Sequence, residues 1–121
     1  MNSILLIRPV WLDKIINGEK TIEIRGQKCQ SKVNTTIGLA YCGPNVNKKD
    51  RKIIATAYLS GYKQYNTIEE YQTDRNKHCT HYETLPYKKT FGWILENINK
   101  LDEPINFEYK KGAVIWVNHI F

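Results

Sequence analysis

Between Ile4 and Arg25 the chain changes its hydrophobic period twice, and nothing else in it constrains the fold as strongly. Ile4-Leu5-Leu6-Ile7 is a short unbroken apolar run, the pattern of a buried strand. Arg8 and Pro9 follow, and proline suits the first turn of a helix, where its missing N–H has no partner anyway. Val10, Trp11, Ile15 and Ile16 then recur at helical spacing. Asn17-Gly18 ends that helix, because Gly18 takes the left-handed conformation past a helix terminus without steric cost. From Lys20 to Arg25 the period falls to two, with Thr21, Glu23 and Arg25 on one side and Ile22 and Ile24 on the other. Lys20 joins the isoleucine side by parity, at the strand's start. The order is therefore strand, short helix, tight stop, strand, and the second strand has a polar face with a carboxylate beside a guanidinium.

The rest of the chain continues in short pieces punctuated by Gly and Pro. Residues 36–42 and 53–65 are β-rich; Gly43-Pro44 ends the first, and Gly61 marks a bulge in the second. Thr67-x-x-Glu70 has the capping-box form and predicts a helix running to about Lys77. Residues 79–89, with Pro86, are irregular. Residues 90–98, 105–109 and 113–120 read as three more strands, separated by Asp102-Glu103-Pro104 and Lys110-Lys111-Gly112. Six or seven short strands with two or three short helices predict an α+β, mostly β fold: a small mixed or antiparallel β-barrel with the helices at its openings. There is no internal repeat or linker, and 121 residues are expected to form a single domain over 1–121. A chain of this length buries roughly two thirds of its unfolded surface and needs no disulfide. Cys29, Cys42 and Cys79 are odd in number and lack metal or redox spacing, and no cleavable leader is seen, so free thiols and a cytoplasmic location are expected. No apolar run approaches the roughly 20 residues that span a bilayer, and no membrane partner is expected.

Charge enters the argument through its distribution. Lys and Arg number 18 against 12 Asp and Glu, a net charge of +6, and the whole excess lies in the first 60 residues. Most of it falls between Lys28 and Lys52, where six basic residues face one acid, Asp50. Such a face attracts phosphates, although solvated lysine loops give the same count.

The most informative stretch is Gly18-Glu19-Lys20-Thr21-Ile22-Glu23-Ile24-Arg25. With the preceding apolar strand and the Pro9–Trp11 helix, this G-x-K-x-x-E-x-R pattern resembles the ASCH (activating signal cointegrator homology) family. Tyr87-Lys88-Lys89-Thr90-Phe91-Gly92-Trp93-Ile94-Leu95 is similar to that family's late aromatic-Gly-Trp strand, and Pro104-Ile105 and Lys111-Gly112 fall where its closing strands lie. The resemblance covers nearly the whole chain. It implies a stand-alone, PUA-like β-barrel and binding of RNA or another single-stranded nucleic acid, without cofactor or metal.

The residues give that expectation a physical form. Arg25 pairs bidentately with Glu23 or with a phosphate. Lys20 is a flexible point charge for a phosphate or carbonyl oxygen. Glu23 accepts from an exocyclic amine. Trp11 offers a stacking face, an interaction worth about 1–3 kcal/mol per base. Arg8, Lys48, Lys49, Arg51 and Lys52 are candidate backbone contacts. Each also has a plain structural reading: an ion pair between Glu23 and Arg25, Trp11 as core, and the basic residues as solvated surface.

Catalysis is the second expectation. Some small proteins resembling this domain hydrolyse N-acetylated cytidine with a Lys, a Thr three residues on and a distant Glu. Lys20 matches the Lys, but Glu23 stands at the Thr position, and Asp74 and Glu83 are candidates for the distant acid, which the sequence does not place. Nuclease activity is also ascribed to ASCH-like proteins, and there Glu23 as base with Lys20 and Arg25 as cations would fill the roles. On balance the chain reads as a binding module rather than an enzyme; a protein-interaction role on the same fold stands as a further alternative. His78-Cys79-Thr80-His81 matches no zinc spacing and reads as a loop with two ordinary histidines. The sequence sets no oligomeric state.

Overall fold

A computed structural model describes residues 3–108 and 116–118 of the chain. Its strands are β1 (Ser3–Ile7), β2 (Ile22–Arg25), β3 (Thr35–Tyr41), β4 (Lys52–Tyr65), β5 (Thr90–Asn106) and β6 (Trp116–Asn118). Its helices are α1 (Pro9–Ile16), α2 (Ile68–Thr73) and α3 (Arg75–His78), with single 3₁₀ turns at Gln30–Lys32 and Lys48–Asp50. The strands form one six-stranded sheet in the order β2-β5-β4-β3-β1-β6. Only β1 and β3 run parallel, with Leu5 opposite Leu39; the other pairs are antiparallel. The architecture is the expected one: a mostly β, PUA-like fold whose six-stranded sheet curls into a half-barrel and carries a few short helices.

β1 is an unbroken apolar run because both its faces are covered. Leu5 and Ile7 enter the main core with Leu12, Leu39, Ala57 and Trp93, while Ile4 and Leu6 enter a second cluster with Ala40, Ile53 and Val117. α1 starts at Pro9 and buries Leu12 and Ile15. The Asn17 N–H reaches the Asp13 carbonyl, and Gly18 takes the expected left-handed turn at φ +82°.

The curl comes from β4 and β5. Their ladder shifts register three times, between Ile53 and Ala55, Thr56 and Tyr58, and Leu59 and Gly61. Bulges bend and twist a strand, so two long antiparallel strands wrap instead of lying flat. The same device corrects one expectation. Residues 90–98 and 105–109 are not separate strands; β5 runs through Asp102-Glu103-Pro104. The ladder passes from Lys100 opposite Ala55 directly to Ile105 opposite Ile53, so residues 101–104 bulge out of it. Pro104 lacks an N–H and sits where none is asked for. Of the expected strand at 113–120, Trp116–Asn118 is strand, and the remainder, like Tyr109, lies outside the described residues.

The predicted helix from Thr67 is also divided. The Thr67 hydroxyl caps α2 by accepting the Glu70 N–H at 3.1 Å. The run then breaks at Asp74 and resumes as α3. Asp74 is buried and its carboxylate is drawn toward β4, where it accepts from the Tyr65 hydroxyl at 2.7 Å and pairs with Lys63. Burial works to raise the Asp74 pKa, but hydrogen bonds from Lys63 and Tyr65 outweigh it and hold the group below its ordinary 3.8. Such a carboxylate stabilises the fold above that pH and loses the contribution as pH falls through its folded value. Asp74→Asn is therefore expected to cost about 1–3 kcal/mol near neutrality. Urea titrations of parent and variant should converge below pH 3.8.

Candidate functional site

β2 lies at one edge of the sheet, paired to β5 with Glu23 opposite Trp93 and Arg25 opposite Phe91. Lys20 precedes the ladder. Its N–H turns back to the Lys14 carbonyl, and Thr21 is held between the Lys77 carbonyl and the Leu95 N–H. Strand parity therefore does not govern Lys20, and the expected placement on the isoleucine side is corrected: its ammonium lies 3.5 Å from the Glu23 carboxylate. It also donates to the His78 carbonyl at 2.5 Å and sits 5.1 Å from the centre of the Trp11 ring.

Glu23 is shared by two cations. One of its oxygens accepts from Arg25 Nε at 3.0 Å and lies 2.9 Å from Nη2, while the other faces Lys20. Arg25 Nη2 also donates to the Leu6 carbonyl at 2.7 Å, and its guanidinium lies over Trp93. Side-chain exposures of 1% for Lys20, 5% for Glu23 and 12% for Arg25 make this an enclosed triad, not a surface ion pair. Loss of water lowers the Lys20 pKa from its ordinary 10.5; the Glu23 charge opposes that loss, and the Arg25 charge adds to it.

The triad forms one wall of a cleft of about 290 Å³. Arg8 and Trp11 line the same cleft, so five of the residues singled out in the sequence converge there. The mouth adds two that sequence patterning missed, Tyr82 and Tyr87, both about half exposed. They belong to the irregular 79–89 segment, which has no period to read. A Cβ at Gly26 would come within 2.9 Å of the Tyr87 ring, so the glycine just after β2 lets that ring lie against the strand end. Thr80 and Cys42 complete the part of the lining that bears on chemistry. Burial raises the Cys42 thiol pKa despite Arg25, Arg8 and Arg51 nearby.

Lys48, Lys49, Arg51 and Lys52 are not in this cleft. They line a second concavity with Asn106, Phe107 and Glu108. The two regions adjoin where Arg51 donates to the carbonyl of Gly43, the residue after Cys42, at 2.8 Å. Asp74 and Glu83 do not line the cleft either. His78 is buried and His81 exposed, and among the described residues no three His, Cys, Asp or Glu side chains gather at metal-binding distance. Nor is any helix among them long and apolar enough to cross a membrane.

Structural comparison places the chain beside an ASCH protein from Zymomonas mobilis. The crystal structure of that protein matches with a TM-score of 0.65 at 18% identity, over 86% of this chain and 72% of the other. A serine-to-alanine variant matches with a TM-score of 0.68 at 16% identity, over 98% and 87% of the two chains. A tyrosine-to-phenylalanine variant gives 0.64 at 18% identity, over 86% and 74%. No family model and no curated protein matches the sequence.

Proposed function

We propose that this chain, whose fold is that of an ASCH domain, binds single-stranded nucleic acid, RNA in the first place, by taking one nucleotide into the Lys20–Glu23–Arg25 cleft. The observation that carries the reading is the convergence of that triad with Arg8 and three aromatic side chains, Trp11, Tyr82 and Tyr87, around one small opening. Nucleic acid offers the complement: phosphates for the cations, a base face for the rings, and exocyclic amines for the Glu23 oxygen that faces Lys20. The aromatic mouth supplies stacking that is tolerant of sequence, and the cations supply a salt-dependent attraction. The Lys48–Lys52 loop carries flanking phosphates, because it adjoins the cleft at Gly43 without entering it.

The test is fluorescence anisotropy with a labelled short RNA over a range of salt. Binding should weaken steeply as salt rises. Tyr82→Ala should weaken it by about 1–3 kcal/mol, roughly 5–150-fold. Lys20→Met should also weaken it; Glu23 then still pairs with Arg25, so the fold tolerates the change. A joint Lys48→Ala and Lys49→Ala variant should mainly flatten the salt dependence. Unaltered affinity in both Tyr82→Ala and Lys20→Met would remove the cleft from consideration. Absence of any salt-dependent binding would favour a protein partner instead.

A further inference from the structure

A second concavity borders the cleft, and nothing described so far uses it. Its lining includes Lys14, Arg75, Asn76, Cys79 and His81. On α1, Trp11 lines the cleft and Lys14 lines the second concavity. Residues three apart share a helix face and stand about 4.5 Å apart along the axis, so one face of α1 passes from the first opening to the second. The chain after α3 divides in the same way. Thr80 and Tyr82 line the cleft, while Cys79 and His81 line the second concavity. The ridge between them is tied down from both sides. The Lys20 ammonium donates to the His78 carbonyl at 2.5 Å, and the Cys79 thiol donates to the Glu19 carbonyl at 3.3 Å. The chemistry of the second concavity is cationic: among the described residues no carboxylate lines it. Arg75 carries most of the argument. Its Nε is buried without a hydrogen-bond partner, and no described side chain pairs with its guanidinium. A guanidinium with spare donors takes a phosphate through two of them at once. Lys14 pairs with Glu19 at 3.5 Å, but their exposures of 38% and 56% make that pair weak and open to exchange.

We propose that this concavity is a second phosphate site, in which Arg75 and Lys14 hold the backbone phosphate next to the nucleotide seated in the cleft. The inference rests on the cleft binding a single strand, and it sets the path of that strand. The Lys48–Lys52 loop adjoins the cleft beside Cys42, whereas the second concavity meets it at Trp11 and Thr80. A strand with one nucleotide in the cleft therefore has a cationic exit at each of two separate borders. One flanking phosphate goes to the lysine loop and the other crosses the Cys79–Thr80 ridge to Arg75. Phosphate contacts of this kind fix register and direction, while the base is read inside the cleft. His81 and the Asn76 amide supply further donors at the edge of the same opening.

The probe is a fluorescently labelled five-unit strand with adenine on its central unit and baseless spacers elsewhere, so that the cleft fixes the register. By anisotropy, Arg75→Gln should bind it about tenfold more weakly, with a slope of log affinity against log salt shallower by about 0.7. Lys14→Gln, at an exposed side chain, should move both quantities the same way by less. Thermal melts establish that each variant is folded when assayed. Replacing single phosphates with neutral methylphosphonates locates the contact. One linkage beside the adenine should cost the parent about tenfold and cost Arg75→Gln little. The joint Lys48→Ala and Lys49→Ala variant should lose sensitivity to a linkage on the other side of the adenine. Parent-like affinity in both Arg75→Gln and Lys14→Gln, with Tyr82→Ala still weakened, would overturn the second site and leave the cleft reading intact. So would a loss in Arg75→Gln spread evenly over every linkage, which is the mark of general charge. Binding by the parent that ignores both Tyr82→Ala and Lys20→Met would remove the cleft reading and this site with it.

Discussion

Glu23→Gln is expected to lower folding stability by about 3–5 kcal/mol near neutral pH, because it leaves two enclosed cations without the carboxylate they share. Lys20 and Arg25 both reach Glu23, and both side chains are largely shut off from water. Arg25 keeps the Leu6 carbonyl and Lys20 keeps the His78 carbonyl, but neither partner carries a charge. The effect has a definite pH dependence. Burial already sets the folded Lys20 pKa below 10.5, so over the interval between the two values the unfolded chain binds more protons than the folded one. Stability contributed by this residue therefore rises with pH across that interval. Glu23 is the strongest influence raising the Lys20 pKa, so its loss lowers the folded value further and widens the interval downward. Urea titrations of parent and Glu23→Gln should show a gap that narrows as pH rises from neutrality toward the ordinary lysine value of 10.5, as Lys20 becomes neutral in the variant first. Adding Lys20→Met to Glu23→Gln should recover part of the loss, since one stranded cation is then gone. Equal stability of parent and single variant near pH 7 would mean that the triad is solvated.

The pieces legible in the sequence were those written as a local period. β1, α1, the Gly18 stop and β2 follow from one continuous apolar run, one helical spacing and one alternation, each completed within about a dozen residues. The Lys20 orientation escaped the same logic because parity holds only inside a ladder, and the ladder begins at Ile22. The union of two expected strands into β5 was hidden for a related reason. Asp102-Glu103-Pro104 reads as a turn by itself, and only the distant pairing with β4 turns it into a bulge. The helix break at Asp74 likewise depends on Tyr65 and Lys63 from another strand. At the cleft, the G-x-K-x-x-E-x-R pattern marked the triad. Tyr82 and Tyr87 come from a segment without period, where the available signals were aromatic content and the small residue at Gly26. His78 reads in the sequence as an ordinary loop histidine; its burial against Tyr71 depends on packing between α2 and α3 that no local pattern announces. The basic count was legible and its placement was not, since nothing local says that residues 48–52 line a different concavity from Lys20.

Trp93→Ala should be the most damaging substitution in the core, at about 3–5 kcal/mol. Trp93 is fully buried and stacks on Trp116 with centroids 5.6 Å apart. Its indole N–H satisfies the Gln27 carbonyl at 2.8 Å, which pins the chain just after β2. It is also the cross-strand partner of Glu23, and its ring lies 5.7 Å from the Arg25 guanidinium. Truncation therefore opens a void under the triad and frees the segment that carries Gly26, the seat of Tyr87. For a chain of this size the loss corresponds to a melting temperature lower by roughly 10–20 °C. Trp93→Phe separates the two contributions. It keeps an aromatic ring beneath Arg25 but leaves the Gln27 carbonyl without its donor, an expected cost of about 1–3 kcal/mol. Both variants should be compared by thermal unfolding and then by RNA anisotropy at a temperature where each is folded. If the floor under Arg25 matters to the cleft, Trp93→Phe keeps most of the affinity and Trp93→Ala loses it. Equal affinities in the two variants would show that Trp93 supports the barrel alone, and that Glu23 and Lys20 hold Arg25 in place without it.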